Sequence, residues 1–157
     1  ECALLAADVD AARRHLASLG GGVEDPRVQV RQRIAQAFPL MKREVPELRM
    51  VMVAGPRLQL DLPPMDGLEV RPYVHNLYEH LACCDLALVQ GGLSTTMELV
   101  ATRRPFLSLP QQNHLEQCVH VRRRLFNYGA ETSVDYRDLA PDTLAERVER
   151  IRAHLPP

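Results

Sequence analysis

The sequence carries no surplus of either charge: 19 Lys and Arg stand against 20 Asp and Glu, for a formal net charge of -1. No global field therefore draws the chain to nucleic acid or to an anionic membrane, and any anion site must be built locally. Lysine is nearly absent, Lys42 being the only one. A skew of that kind is more often codon usage in a GC-rich genome than chemistry, so it carries no functional weight. Cys2, Cys83, Cys84 and Cys118 contain no C-x-x-C pair and no spacing that suits zinc, which leaves no metal site to expect. Adjacent Cys83 and Cys84 are poorly placed to bridge each other, and reduced thiols in a cytoplasmic setting are the simplest reading. No apolar run approaches the ~20 residues of a membrane span and no signal-peptide pattern is present, so no span is expected.

What is present is 157 residues, 46% hydrophobic and 25% charged, the composition of one ordinary globular domain. A chain of this size buries roughly 68–70% of its unfolded surface, enough for a core without disulfides. Residues 1–157 are expected to form one domain. The first residue is Glu1 rather than methionine, and the expectation is a fragment or subunit of something longer.

Short apolar runs alternate with stretches of helical period, which predicts an α/β fold with a parallel sheet flanked by helices. Strands are predicted at His15–Leu19, Met50–Ala54, Leu86–Val89 and Phe106–Leu109, each running into glycine or proline as a strand feeding a tight turn should. Leu68–Val70 and Glu131–Val134 are shorter candidates. Val30, Ile34, Phe38, Met41 and Val45 make one apolar helical stripe ending before Pro46. Leu77, Leu81 and Cys84 mark a shorter helix. Cys118, Val121, Leu125 and Tyr128 mark another that Gly129 should cap, and Leu144, Val148, Ile151 and Leu155 a last one beginning near Pro141. The Pro-rich stretch Leu60–Gly67 reads as a surface loop, and residues 1–13 as an Ala-rich, helix-compatible segment of unassigned role.

The most informative stretch is Leu86 to Gln117. Leu86–Val89 delivers Gln90-Gly91-Gly92-Leu93-Ser94-Thr95-Thr96 into the helical run Met97–Ala101. Glycines let the backbone turn and approach a ligand, while the helix offers unpaired N–H groups and the positive end of its dipole. Ser94 or Thr95 can add a hydroxyl, so diphosphate is the natural occupant. The plainer alternative is a βα turn in which Ser94 or Thr95 merely caps the helix. Glu98, one turn on, can accept from two vicinal hydroxyls such as those of a ribose, or can close a capping box on its own helix. After the next strand, Pro110 opens the polar loop Gln111-Gln112-Asn113-His114-Leu115-Glu116-Gln117, and loops at this end of a parallel sheet are where ligands bind.

The order Ala82-Cys83-Cys84-Asp85-Leu86-Ala87-Leu88-Val89, then Gly91-Gly92-x-Ser94-Thr95-x-x-Glu98, then Arg104-Pro105-Phe106-Leu107-Ser108-Leu109-Pro110, then Glu116-Gln117, resembles the C-terminal half of a GT-B glycosyltransferase. The similarity is to the group holding the lipid II N-acetylglucosaminyltransferase and the natural-product glycosyltransferases. It reaches back to Ser18–Gly22 and Val53–Pro56 and forward to Gly129-Ala130. The resemblance implies a Rossmann-like half domain that binds a UDP- or dTDP-linked sugar, with no cofactor and no bound metal. It implies that Gly91, Gly92, Leu93, Ser94 and Thr95 hold the diphosphate, and that Glu98 takes the ribose. By the same resemblance Tyr73-Val74-His75 would pack the base, with the Val74 backbone reading its edge, Glu116 and Gln117 would contact the transferred sugar, and Gly20, Gly21 and Gly22 would form a loop facing the cleft. His114 lies in the sugar loop as a further candidate contact, the alternative being a solvated histidine.

Two departures stand out. Many relatives carry histidine before the glycine pair, where this chain has the neutral Gln90, so phosphate affinity should be weaker. The acceptor site and catalytic base of the family belong mainly to an N-terminal domain that 157 residues cannot hold, so no catalytic residue is expected here and the partner is an N-terminal domain or acceptor subunit. Arg122-Arg123-Arg124 reads as a solvated helix face or a weak docking surface for acid groups, not a nucleic-acid site. His120 beside it carries no assigned role, and His75 and His80, which flank an apolar helix face, also have a plain surface reading. Competing readings are a sugar-nucleotide hydrolase or 2-epimerase of the same architecture, and a non-catalytic nucleotide-sugar-binding module.

Overall fold

A computed structural model describes residues 2–6, 26–56, 62–111, 114–130, 133–135 and 140–153. Its strands are β1 (Cys2–Ala6), β2 (Arg49–Val53), β3 (Leu68–Arg71), β4 (Leu86–Val89) and β5 (Phe106–Ser108). Helices are α1 (Pro26–Glu44), α2 (Leu77–Cys83), α3 (Leu93–Ala101), a π-helical segment (Glu116–Val121) running directly into α4 (Arg122–Asn127), and α5 (Pro141–Arg152).

The sheet is parallel throughout, in the order β3-β2-β1-β4-β5. From the central β1 the chain steps outward to β2 and β3, then returns to lay β4 and β5 on the other side. Right-handed crossovers running in opposite directions put helices on opposite faces. Side chains two apart along a strand share a face, and β4 shows it: Leu86 and Leu88 join Met50 and Met52 under α1 and α5, while Ala87 and Val89 join Val53, Leu99, Val121 and Leu125 on the other side. All four β4 residues are buried, because a parallel strand covered on both faces has no solvent side. The predicted α1 stripe Val30, Ile34, Phe38, Met41 and Val45 is buried in full.

Three expectations change. Residues 2–6 are a strand rather than part of an Ala-rich helix, and β1 is paired on both sides, in register Leu4 with Val51 and Leu4 with Ala87. Alanine's helix propensity is a weak prior that two adjoining strands override. The strand predicted at Glu131–Val134 is reduced, over its described residues, to one parallel bridge of Ser133 to Ser108, with the Val134 N–H donating to the Ser108 carbonyl at 2.9 Å. The helix predicted from Cys118 begins earlier and as a π-helix. His15–Leu19 and Gly20–Gly22 lie outside the described residues.

α3 and α4 end in the same hydrogen-bonded reversal. Gly129 (φ 64) closes α4, its N–H donating to Phe126 and that of Ala130 to Leu125; Arg103 (φ 54) closes α3 with the equivalent bonds to Val100 and from Arg104 to Leu99. A left-handed backbone costs a residue with a side chain roughly 1–2 kcal/mol, part of which glycine gives back through a freer unfolded chain. Arg103→Gly is therefore expected to raise stability by about 0.5–1 kcal/mol in urea unfolding. A loss would mean that the exposed arginine side chain makes a contribution larger than its backbone strain.

Candidate functional site

The order of strands reverses between β1 and β4, and in open α/β sheets ligands bind at the carboxyl ends of strands flanking that reversal. The connection leaving β4 there is Gln90-Gly91-Gly92. Gly91 is fixed as glycine twice over: its φ is 81, and an added Cβ would stand 2.6 Å from the Ser108 Oγ. Gly92 is different. Its φ of -63 and ψ of 142 suit any residue, and an added Cβ would meet no atom of the described residues within 4 Å. Nothing in the packing of the described residues asks for glycine at Gly92, which leaves space among them beside the helix start.

α3 begins at Leu93 with Gly92 as its cap residue, so no side chain caps it. The first backbone bond of the turn runs from the Thr96 N–H to the Gly92 carbonyl at 3.0 Å, and the N–H groups of Leu93, Ser94 and Thr95 have no partner among the described residues. Ser94 and Thr95 fall inside the first turn, which removes the reading in which either is the cap. Glu98 stands six positions beyond Gly92, too far along to close a capping box, which needs the third helical position. It is exposed, on the same face as Ser94, and its carboxylate makes no hydrogen bond or ion pair among the described residues.

Gln90 is only 4% exposed, yet neither its Nε2 nor its Oε1 has a hydrogen-bond partner among the described residues. Leaving buried polar groups unmade costs about 1–3 kcal/mol. Gln90→Met, which keeps the length and drops the polar atoms, is expected to raise the stability of the empty protein by about 1 kcal/mol in thermal unfolding. A destabilised variant would show that the amide is satisfied within the fold.

The loop after β3 brings Val74 into this neighbourhood. Val74 is buried in the cluster that holds Val89 and Leu99, while Tyr73 remains exposed and meets His75 edge-to-face at 5.1 Å between ring centroids. The Val74 N–H and C=O make no hydrogen bond among the described residues.

The loop after β5 is held by its own polar groups. Gln117 is 5% exposed and its Oε1 accepts the Gln111 N–H at 2.9 Å; the Gln111 carbonyl accepts from the His114 N–H and the Cys118 thiol, each at 3.0 Å. One face of the Gln117 amide is thus used to fix the loop. His114 is half-buried, with a buried Nδ1 that has no partner among the described residues. Glu116 is exposed at the start of the π-helical segment, and with Leu93 it lines a cleft of about 430 Å³ that also takes in His120, Val121, Arg123, Arg124 and Asn127. The structure therefore brings Glu116 and the start of α3 to one opening.

Two residues not singled out by the sequence shape the site. Buried Thr96 donates its hydroxyl to the Gly92 and Leu93 carbonyls at 2.9 and 3.0 Å, fixing the first turn of α3. Ser108 sets the Gly91 contact. A threonine in a Ser-Thr-Thr run carries no signal of which hydroxyl turns inward until the helix start is known.

The family model for the glycosyltransferase family 28 C-terminal domain matches residues 28–156. Among curated proteins, an uncharacterized glycosyltransferase of Methanopyrus kandleri is 34% identical over 84 residues, covering 54% of this chain and 24% of that protein. The UDP-N-acetylglucosamine--N-acetylmuramyl-(pentapeptide) pyrophosphoryl-undecaprenol N-acetylglucosamine transferase of Carboxydothermus hydrogenoformans is 31% identical over 94 residues, covering 54% and 24%. The chain thus spans about a quarter of the length of these relatives. Among solved structures, the calicheamicin glycosyltransferase CalG4 superposes with a TM-score of 0.68 at 20% identity, over 98% of this chain and 35% of that one. A spinosyn rhamnosyltransferase complexed with thymidine diphosphate gives 0.63 at 22%, over 97% and 37%. These likenesses show the fold, a Rossmann-like half of the GT-B architecture.

Proposed function

Because this chain belongs to the glycosyltransferase family 28 C-terminal domain family, we propose that it is the donor half of an inverting glycosyltransferase that moves a hexosyl group from a nucleoside diphosphate to an acceptor hydroxyl. The observation that carries this reading is the uncapped start of α3, with free N–H groups of Leu93, Ser94 and Thr95 beside the open space over Gly92, at the reversal of the sheet. Those groups suit a diphosphate. Gln90 would donate from Nε2 to a phosphate oxygen, Glu98 would accept from the ribose hydroxyls, and the free Val74 backbone groups would read the base edge with Tyr73 alongside. Glu116, with Gln117 and His114 behind it, would meet the transferred sugar.

The chemistry assigned to this half is electrostatic. As the sugar–oxygen bond breaks, negative charge grows on the departing diphosphate, and donors already oriented at a helix start stabilise it without rearranging. Removal of the acceptor proton falls to a base in the rest of the protein or in an acceptor subunit. The thymidine diphosphate complex of the spinosyn rhamnosyltransferase and the UDP-sugar named for the bacterial relatives make dTDP and UDP the nucleotides to try. Equilibrium dialysis against UDP- and dTDP-sugars, followed by product analysis, should find saturable binding of one donor with no transfer. Steady glycosyl transfer by this chain alone would overturn the division of labour.

A further inference from the structure

The cleft beside α3 holds more positive charge than donor binding uses. Its wall is the helix that runs from Glu116 through α4. Gln117, Val121 and Leu125, four residues apart, turn into the core. The adjoining stripe, Glu116, His120, Arg124 and Asn127 with Arg123, lines the opening opposite Leu93. The side chains of Glu116, His120, Arg123 and Arg124 make no hydrogen bond or ion pair among the described residues.

The stripe is polarised. A carboxylate, which can only accept, stands at one end, and two guanidiniums stand seven and eight residues along, about two helical turns away. Hydroxyls suit the Glu116 end and an acid group the arginine end, because the reverse arrangement would set like charges together. Guanidinium forks match phosphate and carboxylate oxygens two at a time, and Leu93 and Val121 supply the apolar part of the lining.

We propose that Arg123 and Arg124 form a second anion subsite, which receives a phosphate or carboxylate of the acceptor about two helical turns from Glu116. Its assignment to the acceptor rests on the donor reading above, whereas the subsite itself does not.

The test is an NMR chemical-shift titration of the chain with phenyl phosphate, benzoate and benzyl alcohol, each alone and again with excess UDP or dTDP. Phenyl phosphate and benzoate should shift the amides of Leu93, His120, Arg123, Arg124 and Asn127 saturably, with or without nucleotide, and benzyl alcohol should not. The tighter of the two acids identifies the acid group the acceptor carries. The double variant Arg123→Ala, Arg124→Ala should weaken the binding at least tenfold with an unchanged melting temperature, since both residues are exposed. Glu98→Ala should leave it unaltered. The proposal is overturned by equal affinity in the double variant, by full displacement of phenyl phosphate on adding nucleotide, or by the absence of saturable binding of either acid, as expected if the arginines face an acidic surface of another domain. Absent nucleotide binding beside a normal phenyl phosphate response counts against the donor reading and leaves the subsite standing.

Discussion

Glu98→Ala is expected to lower nucleoside diphosphate affinity about 100-fold while leaving the fold intact. Glu98 is exposed and without partners among the described residues, so its removal touches no packing. Surface changes of that kind usually stay within about 0.5 kcal/mol. A carboxylate accepting from both ribose hydroxyls makes two charge-assisted bonds, each worth about 1.5–3 kcal/mol. A loss near 3 kcal/mol corresponds to roughly two powers of ten. The control is a 2′,3′-dideoxynucleoside diphosphate. It should bind the unaltered protein as weakly as the ribonucleotide binds the variant, and the variant should lose nothing further, since each change removes the same bonds. Additive losses would place the ribose elsewhere.

The second large effect separates the two glycines. Gly92→Ala is expected to weaken diphosphate binding at least tenfold with little effect on stability. Its backbone angles suit alanine and its Cβ meets nothing among the described residues, so on the proposed reading the methyl group only fills the space where phosphate oxygens would approach the α3 N–H groups. A loss of up to about 1 kcal/mol is allowed for alanine at a cap position, where glycine is preferred. Gly91→Ala should instead damage the fold, because φ 81 and the 2.6 Å approach to Ser108 Oγ both oppose a side chain. Matched unfolding and binding curves for the two variants check this. Unchanged affinity in a folded Gly92→Ala protein would mean that no ligand comes close to that backbone.

Much of this was legible in the sequence because the strands are short apolar runs ended by glycine or proline. β2, β3, β4 and β5 fall within a residue or so of where Met50, Leu68, Leu86 and Phe106 open such runs. β1 was hidden, since Cys-Ala-Leu-Leu-Ala has neither alternation nor β-branched residues and takes its conformation from β2 and β4 on either side. The Gly129 reversal was visible as glycine after a periodic stretch; the identical one at Arg103 was not, because arginine there is a choice the backbone tolerates at a cost. At the site, Gly91, Gly92 and the following hydroxyls announced a helix start, but only the position of Leu93 decided that Ser94 and Thr95 lie within the first turn. The π-helical segment had no signal at all. It starts the helix at Glu116, leaving that residue exposed on the cleft and Gln117 buried against the Gln111 backbone.

The most direct measurement of the central claim is isothermal titration of this chain with UDP, dTDP, GDP and NAD in parallel, followed by the same series on Glu98→Ala. The expected result is saturable one-to-one binding of a single pyrimidine diphosphate, weakened about 100-fold in the variant. Equal affinity in the two proteins, or binding of NAD in preference to UDP and dTDP, would contradict it.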